Sequence, residues 1–501
     1  MEQSSTMLLQ EITLQAERDP GRLALQGMAS QLTYGELVSE VSALTTALTI
    51  LAEPASIALA MDNSPAWIVL DLAVLAAGWT NVPIPAFFSA SQKQHAIQDA
   101  GVSLLLTDAS DAWLQLYPAC ESLASWTVAG KAVSVMRFNS QDRASSAQKI
   151  TYTSGTTGAP KGVSLTAQTM WQVADSIRLL TQPDHADRHF CVLPLATLLE
   201  NVAGVYASLI SGATVIVYPC QEVGFSGSQF EISRLYQGLA NSEATTAILI
   251  PELLRALVAY LQAGHPPLTH LRFVAVGGAK VAAALIQQAH QLGLPVYEGY
   301  GLSECASVVT LNTPQSHKPG SIGMPLPHVQ LRVDHGGELW VKGAIYQGYH
   351  QAGGDIAPVL DEEGYLATGD LAYQDADGYW YLSGRKKNMF ITSFGRNVSP
   401  EWVESTLIHQ AGLLQACVIG EARPFNVAVV VAQPQFSTEQ VAQAVARANL
   451  ELPDYAQIGD LVFARQPFTP HNEQLTANGR LKRDMIVQAY AADIHAIYEG
   501  I

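Results

Sequence analysis

Positive charge is scarce in this chain. Its 501 residues carry 27 Lys and Arg against 44 Asp and Glu, a formal net charge of −17. That balance excludes a general nucleic-acid binder, because phosphate contacts need a basic face, and the acidic excess reads as a solubility feature. Cysteine is equally sparse. Cys120, Cys191, Cys220, Cys305 and Cys417 are odd in number, scattered and without a CxxC pair. They suggest neither a disulfide framework nor a zinc site, and a reducing cytoplasm is the expected location. Long hydrophobic runs are missing too. The most apolar stretch, Trp67 to Ala77, is short and carries Asp71, so it predicts a buried helix and no integral membrane segment. Met1-Glu2-Gln3-Ser4 has no basic or apolar leader pattern, so no secretory signal is expected. No low-complexity tract or internal repeat interrupts the chain, which argues against a long disordered arm.

What remains is the composition of a compact enzyme, 48% hydrophobic and 14% charged. The length exceeds one ordinary core, so a large subdivided domain with a smaller companion is expected. Helical patterns at Leu37 to Leu48 and Ala66 to Ala77 alternate with short buried strands. Those at 103–107, 213–218, 247–250 and 273–276 predict a mostly parallel sheet covered on both faces. From about Leu326 the texture changes to short strands and tight turns, including a hairpin around Asp377-Gly378, which implies a small β-rich subdomain. From Arg385 a further unit begins, with strands at 389–392, 414–420 and 427–432 and helices opened by Ser399-Pro400-Glu401 and near 438–449. The fold class is therefore α/β. An N-terminal domain over 1–384 combines layered β-sheets, helices and a small barrel-like part, and a small mobile α+β lid covers 385–501.

Three motifs carry chemistry. In Ile150 to Val163, a strand-like lead runs into Thr153-Ser154-Gly155-Thr156-Thr157-Gly158-Ala159-Pro160-Lys161. Glycine lets backbone N–H groups approach an anion, hydroxyls add donors and lysine adds charge, so the run suits a polyphosphate without matching the Walker spacing. In Glu298-Gly299-Tyr300-Gly301-Leu302-Ser303-Glu304, a strand ends in a glycine-rich turn. It displays an aromatic ring able to stack on a base, and Glu304, a hard ligand suited to Mg²⁺. The third comprises Thr368-Gly369-Asp370 and Gly384-Arg385-Lys386-Lys387, continuing through Phe394-Gly395-Arg396-Asn397. Here an Asp can accept two ribose hydroxyls and an Arg can neutralise phosphate.

The order TSGTTGAPKG, YGLSE, TGD, GRKK and a Thr-x-x-Gly-Arg-Asn loop resembles the acyl-adenylate-forming superfamily of acyl-CoA synthetases, peptide-synthetase adenylation domains and firefly luciferases. The resemblance runs from Leu32-Thr33-Tyr34-Gly35-Glu36-Leu37 to Asn478-Gly479. It implies ATP and Mg²⁺ as cofactors and CoA as co-substrate. Thr153 to Gly158 and Lys161 match the phosphate loop, and Glu304 the magnesium acid. Gly278, Ala279, Glu298 and Tyr300 match the positions around the adenine, with Gly301 and Ser303 also assigned to nucleotide binding; Asp370 and Arg385 match the ribose and hinge-side positions, Lys387 the hinge, and Gly395 with Arg396 the CoA channel. The catalytic set implied is Thr153, Lys161, Glu304 and a C-terminal cation. The family's lysine follows an Asn-Gly or Ser-Gly pair, and here strict matching gives Arg480, with Lys482 two residues further on as the alternative.

Val192 to Asn201 resembles the fatty-acid-activating branch, with Thr197 where histidine is common and Thr197, Glu200 and Asn201 assigned to the acyl pocket. Gly277 to Lys280 and the 385–400 segment also look closest to medium- and long-chain acyl-CoA synthetases. An apolar tunnel would bind an alkyl tail at about 0.8 kcal/mol per buried CH₂. A carrier-protein phosphopantetheine is the alternative acceptor, and a non-catalytic nucleotide-binding homologue the alternative class. His185 and His189, beside Asp184 and Asp187, mimic a metal pair without a third ligand and are expected on a solvated surface. Cys305 is expected in packing. Oligomeric state is not encoded legibly.

Overall fold

The computed structural model describes residues 4–51, 56–138, 146–153, 160–226, 229–351, 355–410, 412–476 and 479–499. Its centre is a nine-stranded sheet. Six adjacent strands, Val296–Tyr300, Phe273–Val276, Thr246–Leu249, Arg188–Cys191, Thr214–Val217 and Leu23–Gln26, run parallel. Antiparallel strands are added only at its edges. The apolar residues of the central strands are buried, as a parallel sheet covered on both faces requires.

A second, eight-stranded sheet places the strand Ser56–Ala60 parallel to its two neighbours, Thr80–Pro83 and Leu104–Thr107. The strand Lys149–Thr153, parallel to Thr80–Pro83, turns back antiparallel into Lys161–Leu165. The helix Pro65–Ala76 packs against this layer. Ser64 accepts a hydrogen bond from the Trp67 N–H, Pro65 opens the helix, and every residue from Pro65 to Leu75 is buried. Among the described residues no helix is long and apolar enough to cross a membrane.

The β-rich segment forms a four-stranded antiparallel sheet of Gln330–Val333, Glu338–Lys342, Leu366–Gln374 and Trp380–Arg385. It also lends the strand Gly348–His350 to the edge of the eight-stranded sheet, beside Lys161–Leu165. Beyond it, Leu413–Ile419, Asn426–Ala432 and Ile458–Phe463 make a three-stranded sheet. Two apolar clusters on this sheet draw only on residues from Phe390 onward.

Candidate active site

The sequence motifs meet where the strands end. Thr153 closes Lys149–Thr153, Gly277 to Ala279 follow Phe273–Val276, and Gly301 to Glu304 follow Val296–Tyr300. These are carboxyl ends of parallel strands, the edge at which open α/β sheets leave a crevice for ligands. Ser154, Gly155, Thr156, Thr157 and Gly158 lie outside the described residues. Their flanks are placed: the Thr153 hydroxyl donates to the Lys161 carbonyl at 3.4 Å, which closes the base of the loop.

Asp370 is the hub of the cleft. One carboxylate oxygen contacts Arg385 Nε at 2.5 Å and the other accepts the Tyr300 hydroxyl at 2.6 Å. The side chain is buried, and burial raises its pKa while Arg385 and the Tyr300 hydroxyl pull it down. An ionised carboxylate offers about four lone-pair directions, so two remain for a ribose diol. The three consecutive cations diverge. Arg385 takes Asp370, Lys386 reaches Glu338 at 2.6 Å, and Lys387 lies within electrostatic reach of Asp370, Arg385, Arg480 and Lys161.

Arg480 reaches the same cleft from the C-terminal unit. Its guanidinium donates to the Gly278 carbonyl at 3.4 Å. It keeps an open side to solvent, yet surrounding protein lowers its pKa, as does Arg385, while Asp370, Tyr300 and Glu304 oppose the shift. A tight turn presents it: the Thr476 N–H donates to the Arg480 carbonyl at 2.7 Å, and the Arg480 N–H returns a bond to the Thr476 hydroxyl at 3.0 Å. Lys482 sits at the start of the helix Arg483–Ala489, and among the described residues its side chain makes no hydrogen bond to the cleft. Lys387 meets repulsion from Arg385, Arg480 and Lys161, and Arg480 meets it from Arg385, a local excess of positive charge that a polyphosphate would neutralise.

Glu304 lies on the short turn Ser303–Cys305, with Ser303 half-buried beside it. Its Oε1 accepts the Tyr349 hydroxyl at 2.7 Å, and Oε2 has no partner among the described residues. A carboxylate oxygen left over near these cations fits Mg²⁺ as part of a metal–phosphate complex. Gly278 and Ala279 are exposed at the rim. Glu298 and Tyr300 stand beneath them: Glu298 accepts the Val281 N–H at 3.1 Å and burial pushes its carboxyl up to about 8. Gly301 has a packing reason, since a Cβ there would meet the Ser307 carbonyl oxygen at 1.5 Å. Gly301→Ala is therefore expected to lose most soluble protein on expression; a soluble variant with the wild-type melting curve would refute the clash.

The acyl-pocket assignments separate. Thr197 is half-buried and its hydroxyl donates to the Pro194 carbonyl at 2.7 Å. Glu200 and Asn201 are instead interior. Glu200 accepts from Val192 and Leu193 N–H groups at 3.1 and 2.7 Å and pairs with His189 at 2.8 Å. Asn201 donates to Asp71 at 2.9 Å and accepts from Lys149. Both residues lie in the first turn of the π-helix Leu199–Tyr206 and are buried there. His189 is likewise buried, not on a solvated surface, because Glu200 and Thr246 satisfy its two ring nitrogens. His189, Cys191 and Glu200 place their ligand-type atoms within 4.8 Å of one another, but hydrogen bonding to Glu200 accounts for the cluster. Cys305 is buried, as packing requires. Gly395 and Arg396 lie on an exposed turn. The Gly395 N–H donates to the Thr392 carbonyl at 2.9 Å, and φ of +73° suits glycine.

Tyr349 escaped the sequence reading. It touches both Glu304 and Lys161, whose ammonium lies 5.2 Å from its ring, and only the pairing of Gly348–His350 with Lys161–Leu165 brings it there. The buried pair Lys149–Asp71, at 2.8 Å, was equally hidden.

Residues 12–350 match the family described as AMP-binding enzyme, and residues 387–501 match the AMP-binding enzyme C-terminal domain. The long-chain-fatty-acid–CoA ligase FadD15 of Mycobacterium bovis is 25% identical, covering 95% of this chain and 93% of its own. Among solved structures, the anthranilate CoA ligase AuaEII in complex with anthranoyl-AMP superposes with a TM-score of 0.80 at 19% identity, over 96% of this chain and 98% of that one. The Bacillus subtilis O-succinylbenzoate CoA synthetase MenE, in complex with ATP and magnesium, gives 0.76 at 22% identity, over 95% and 98%.

Proposed function

We propose, from the premise that this chain belongs to the AMP-binding enzyme family, that it is an ATP-dependent acid–CoA ligase acting on a medium- or long-chain fatty acid. The adenylate-forming acid–CoA ligase chemistry is the part the relatives share; the fatty acid is the finer reading. The observation that carries the reading is the convergence of Lys161, Glu304, Asp370, Arg385 and Arg480 on one cleft. The division at residues 384 and 385 belongs to the same proposal, supported by the separate apolar clusters from Phe390 onward.

In the first half-reaction a substrate carboxylate oxygen attacks the α-phosphorus of ATP. An acyl–O–P bond forms, the bond to the β-phosphate oxygen breaks and pyrophosphate leaves. Two anions must approach each other, so catalysis rests on cations placed before the reaction. Lys161 meets the polyphosphate from the base of its loop, Arg480 from beside Gly278, and Asp370 with Arg385 orients the ribose. Glu304 would hold Mg²⁺, which when bound supplies further neutralisation of phosphate charge. In the second half-reaction the thiolate of CoA attacks the acyl carbon and AMP departs. With Arg480 in the cleft, the arrangement suits the first step. Thioester formation is assigned to a rotated position of the C-terminal unit that brings Gly395 and Arg396 to the channel.

The alternative acceptor is a carrier-protein phosphopantetheine, and the alternative acid is an aryl carboxylate, favoured by the anthranilate and succinylbenzoate enzymes among the structural relatives. ATP–pyrophosphate exchange with acids from acetate through long-chain fatty acids, plus aryl acids, tests the reading. The rate should peak at one alkyl length, and AMP release should then require CoA. A maximum with an aryl acid would replace the fatty acid, and exchange with no acid would sink the enzyme reading. Glu304→Ala should lower exchange on the order of 10²-fold without moving the melting temperature, because the cost falls on charge neutralisation in the transition state.

A further inference from the structure

We infer that Tyr349 is a positioning residue that sets two electrostatic arms of the polyphosphate site at once, the carboxylate of Glu304 through its hydroxyl and the ammonium of Lys161 through its ring. The inference rests on the functional reading above, which assigns a role to Glu304 and Lys161 and none to Tyr349.

The geometry is specific on three counts. First, the Tyr349 hydroxyl donates to Glu304 Oε1 at 2.7 Å. That bond holds one oxygen of the carboxylate and leaves the other, Oε2, without a hydrogen-bond partner among the described residues. Groups that hydrogen-bond a metal-binding carboxylate from behind orient it, and their loss costs about 10- to 100-fold in metal affinity. Second, the Lys161 Nζ lies 5.2 Å from the centre of the Tyr349 ring, within cation–π range, so a flexible ammonium acquires a preferred side of the cleft. Third, Tyr349 itself is held. It lies on the strand Gly348–His350, paired with Val163, and exchanges both backbone hydrogen bonds with Ile356 at 3.0 and 2.8 Å. The chain comes so close there that a Cβ on Gly348 would meet the Ile356 carbonyl oxygen at 2.2 Å. The same segment grips Glu304 a second time, because the Tyr346 N–H donates to the Glu304 carbonyl at 2.8 Å. Glu304 is therefore anchored through main chain and side chain by one stretch of strand and turn, and that stretch is joined edge to edge with the strand carrying Lys161. A tyrosine filling space alone would need neither bond.

Two substitutions separate the arms. Tyr349→Phe keeps the ring under Lys161 and removes the bond to Glu304; Tyr349→Leu removes both. Binding of the Mn²⁺–ATP complex to the full-length protein in the absence of acid, read by the enhancement of water-proton relaxation over a protein-free Mn²⁺–ATP control, reports the metal arm without turnover. Calorimetric titration with ATP in EDTA reports the lysine arm. Tyr349→Phe is expected to weaken Mn²⁺ about 10-fold while leaving metal-free ATP binding unchanged. Tyr349→Leu should weaken both, with thermal melting showing that each variant is folded. Glu304→Gln serves as the reference for a lost metal ligand. If Glu304→Gln loses Mn²⁺ while Tyr349→Phe binds like the wild type, the positioning role is overturned and the functional reading stands. If the wild-type protein binds no Mn²⁺–ATP, the reading and the inference fall together.

Discussion

Arg480→Ala is expected to slow ATP–pyrophosphate exchange on the order of 10²- to 10³-fold, the usual cost of deleting a preorganised group aimed at developing charge. The protein should remain folded. Arg480 is open to solvent on one side, and among the described residues its guanidinium donates only to the Gly278 carbonyl, at 3.4 Å. Its removal therefore leaves no buried partner unsatisfied, and the change in stability should stay within about 0.5 kcal/mol. Arg480→Lys should recover part of the rate: charge is retained, but the planar fork that can hold two oxygens together is lost. Lys482→Ala is the control, since among the described residues its side chain makes no hydrogen bond to the cleft. Exchange and differential scanning fluorimetry on the three variants decide between the cations. A wild-type rate in Arg480→Ala with a collapsed rate in Lys482→Ala would transfer the role to Lys482.

The basis for that prediction was partly visible before any fold. Arg480 follows Asn478-Gly479 in sequence, but its presence beside Asp370, Tyr300 and Glu304 depends on how the C-terminal unit sits against the cleft, which no local pattern encodes. The same distinction runs through the molecule. Four-residue apolar runs such as Thr214–Val217 and Phe273–Val276 were legible as parallel strands because burial on both faces dictates their composition. Their long-range partners were not. Leu23–Gln26 pairs with Thr214–Val217, and Gly348–His350 with Lys161–Leu165, and such pairing depends on contacts distant in sequence.

Polar residues show the sharper limit. Motif likeness identified Glu200 and Asn201 by position, yet it says nothing of side-chain direction, and both are buried in the π-helix. His189 looked solvated among Asp184, His185 and Asp187. It is buried because Glu200 supplies a partner from the following helix, and a buried polar group is decided by its partners rather than its neighbours in sequence. Tyr349 illustrates the reverse error: nothing in Gln347-Gly348-Tyr349-His350 signals a site residue until the sheet edge is assembled.

Lys149→Met should be the most destabilising of the substitutions considered at side chains with no place in the cleft. Lys149 is 2% exposed and Asp71 1% exposed, with 2.8 Å between them. Lys149 also donates to the Tyr206 hydroxyl at 3.0 Å and to Asn201; Asp71 accepts from Asn81 at 2.5 Å, Asn201 at 2.9 Å and Tyr206 at 2.7 Å. The cluster therefore joins the strand Lys149–Thr153, the helix Pro65–Ala76 and the strand Thr80–Pro83 to the π-helix Leu199–Tyr206. That helix follows a central strand of the other sheet. Burial lowers the lysine's pKa and Asp71 raises it, so the ammonium's charge depends on its partner. Removing the cation leaves a carboxylate enclosed with neutral donors only, which costs about 3–5 kcal/mol. Asp71→Asn should cost a comparable amount by stranding the ammonium. The double variant Lys149→Met with Asp71→Asn should cost less than the sum of the two, because no charge is then left buried alone, and the coupling should exceed about 1 kcal/mol. Chemical denaturation of the four proteins measures it. Strict additivity would mean that the pair contributes through packing and not through charge. Since Lys149 begins the strand that ends at Thr153, the same variants should also raise KM for ATP before they lower kcat, which links the stability of the layer to the phosphate loop it carries.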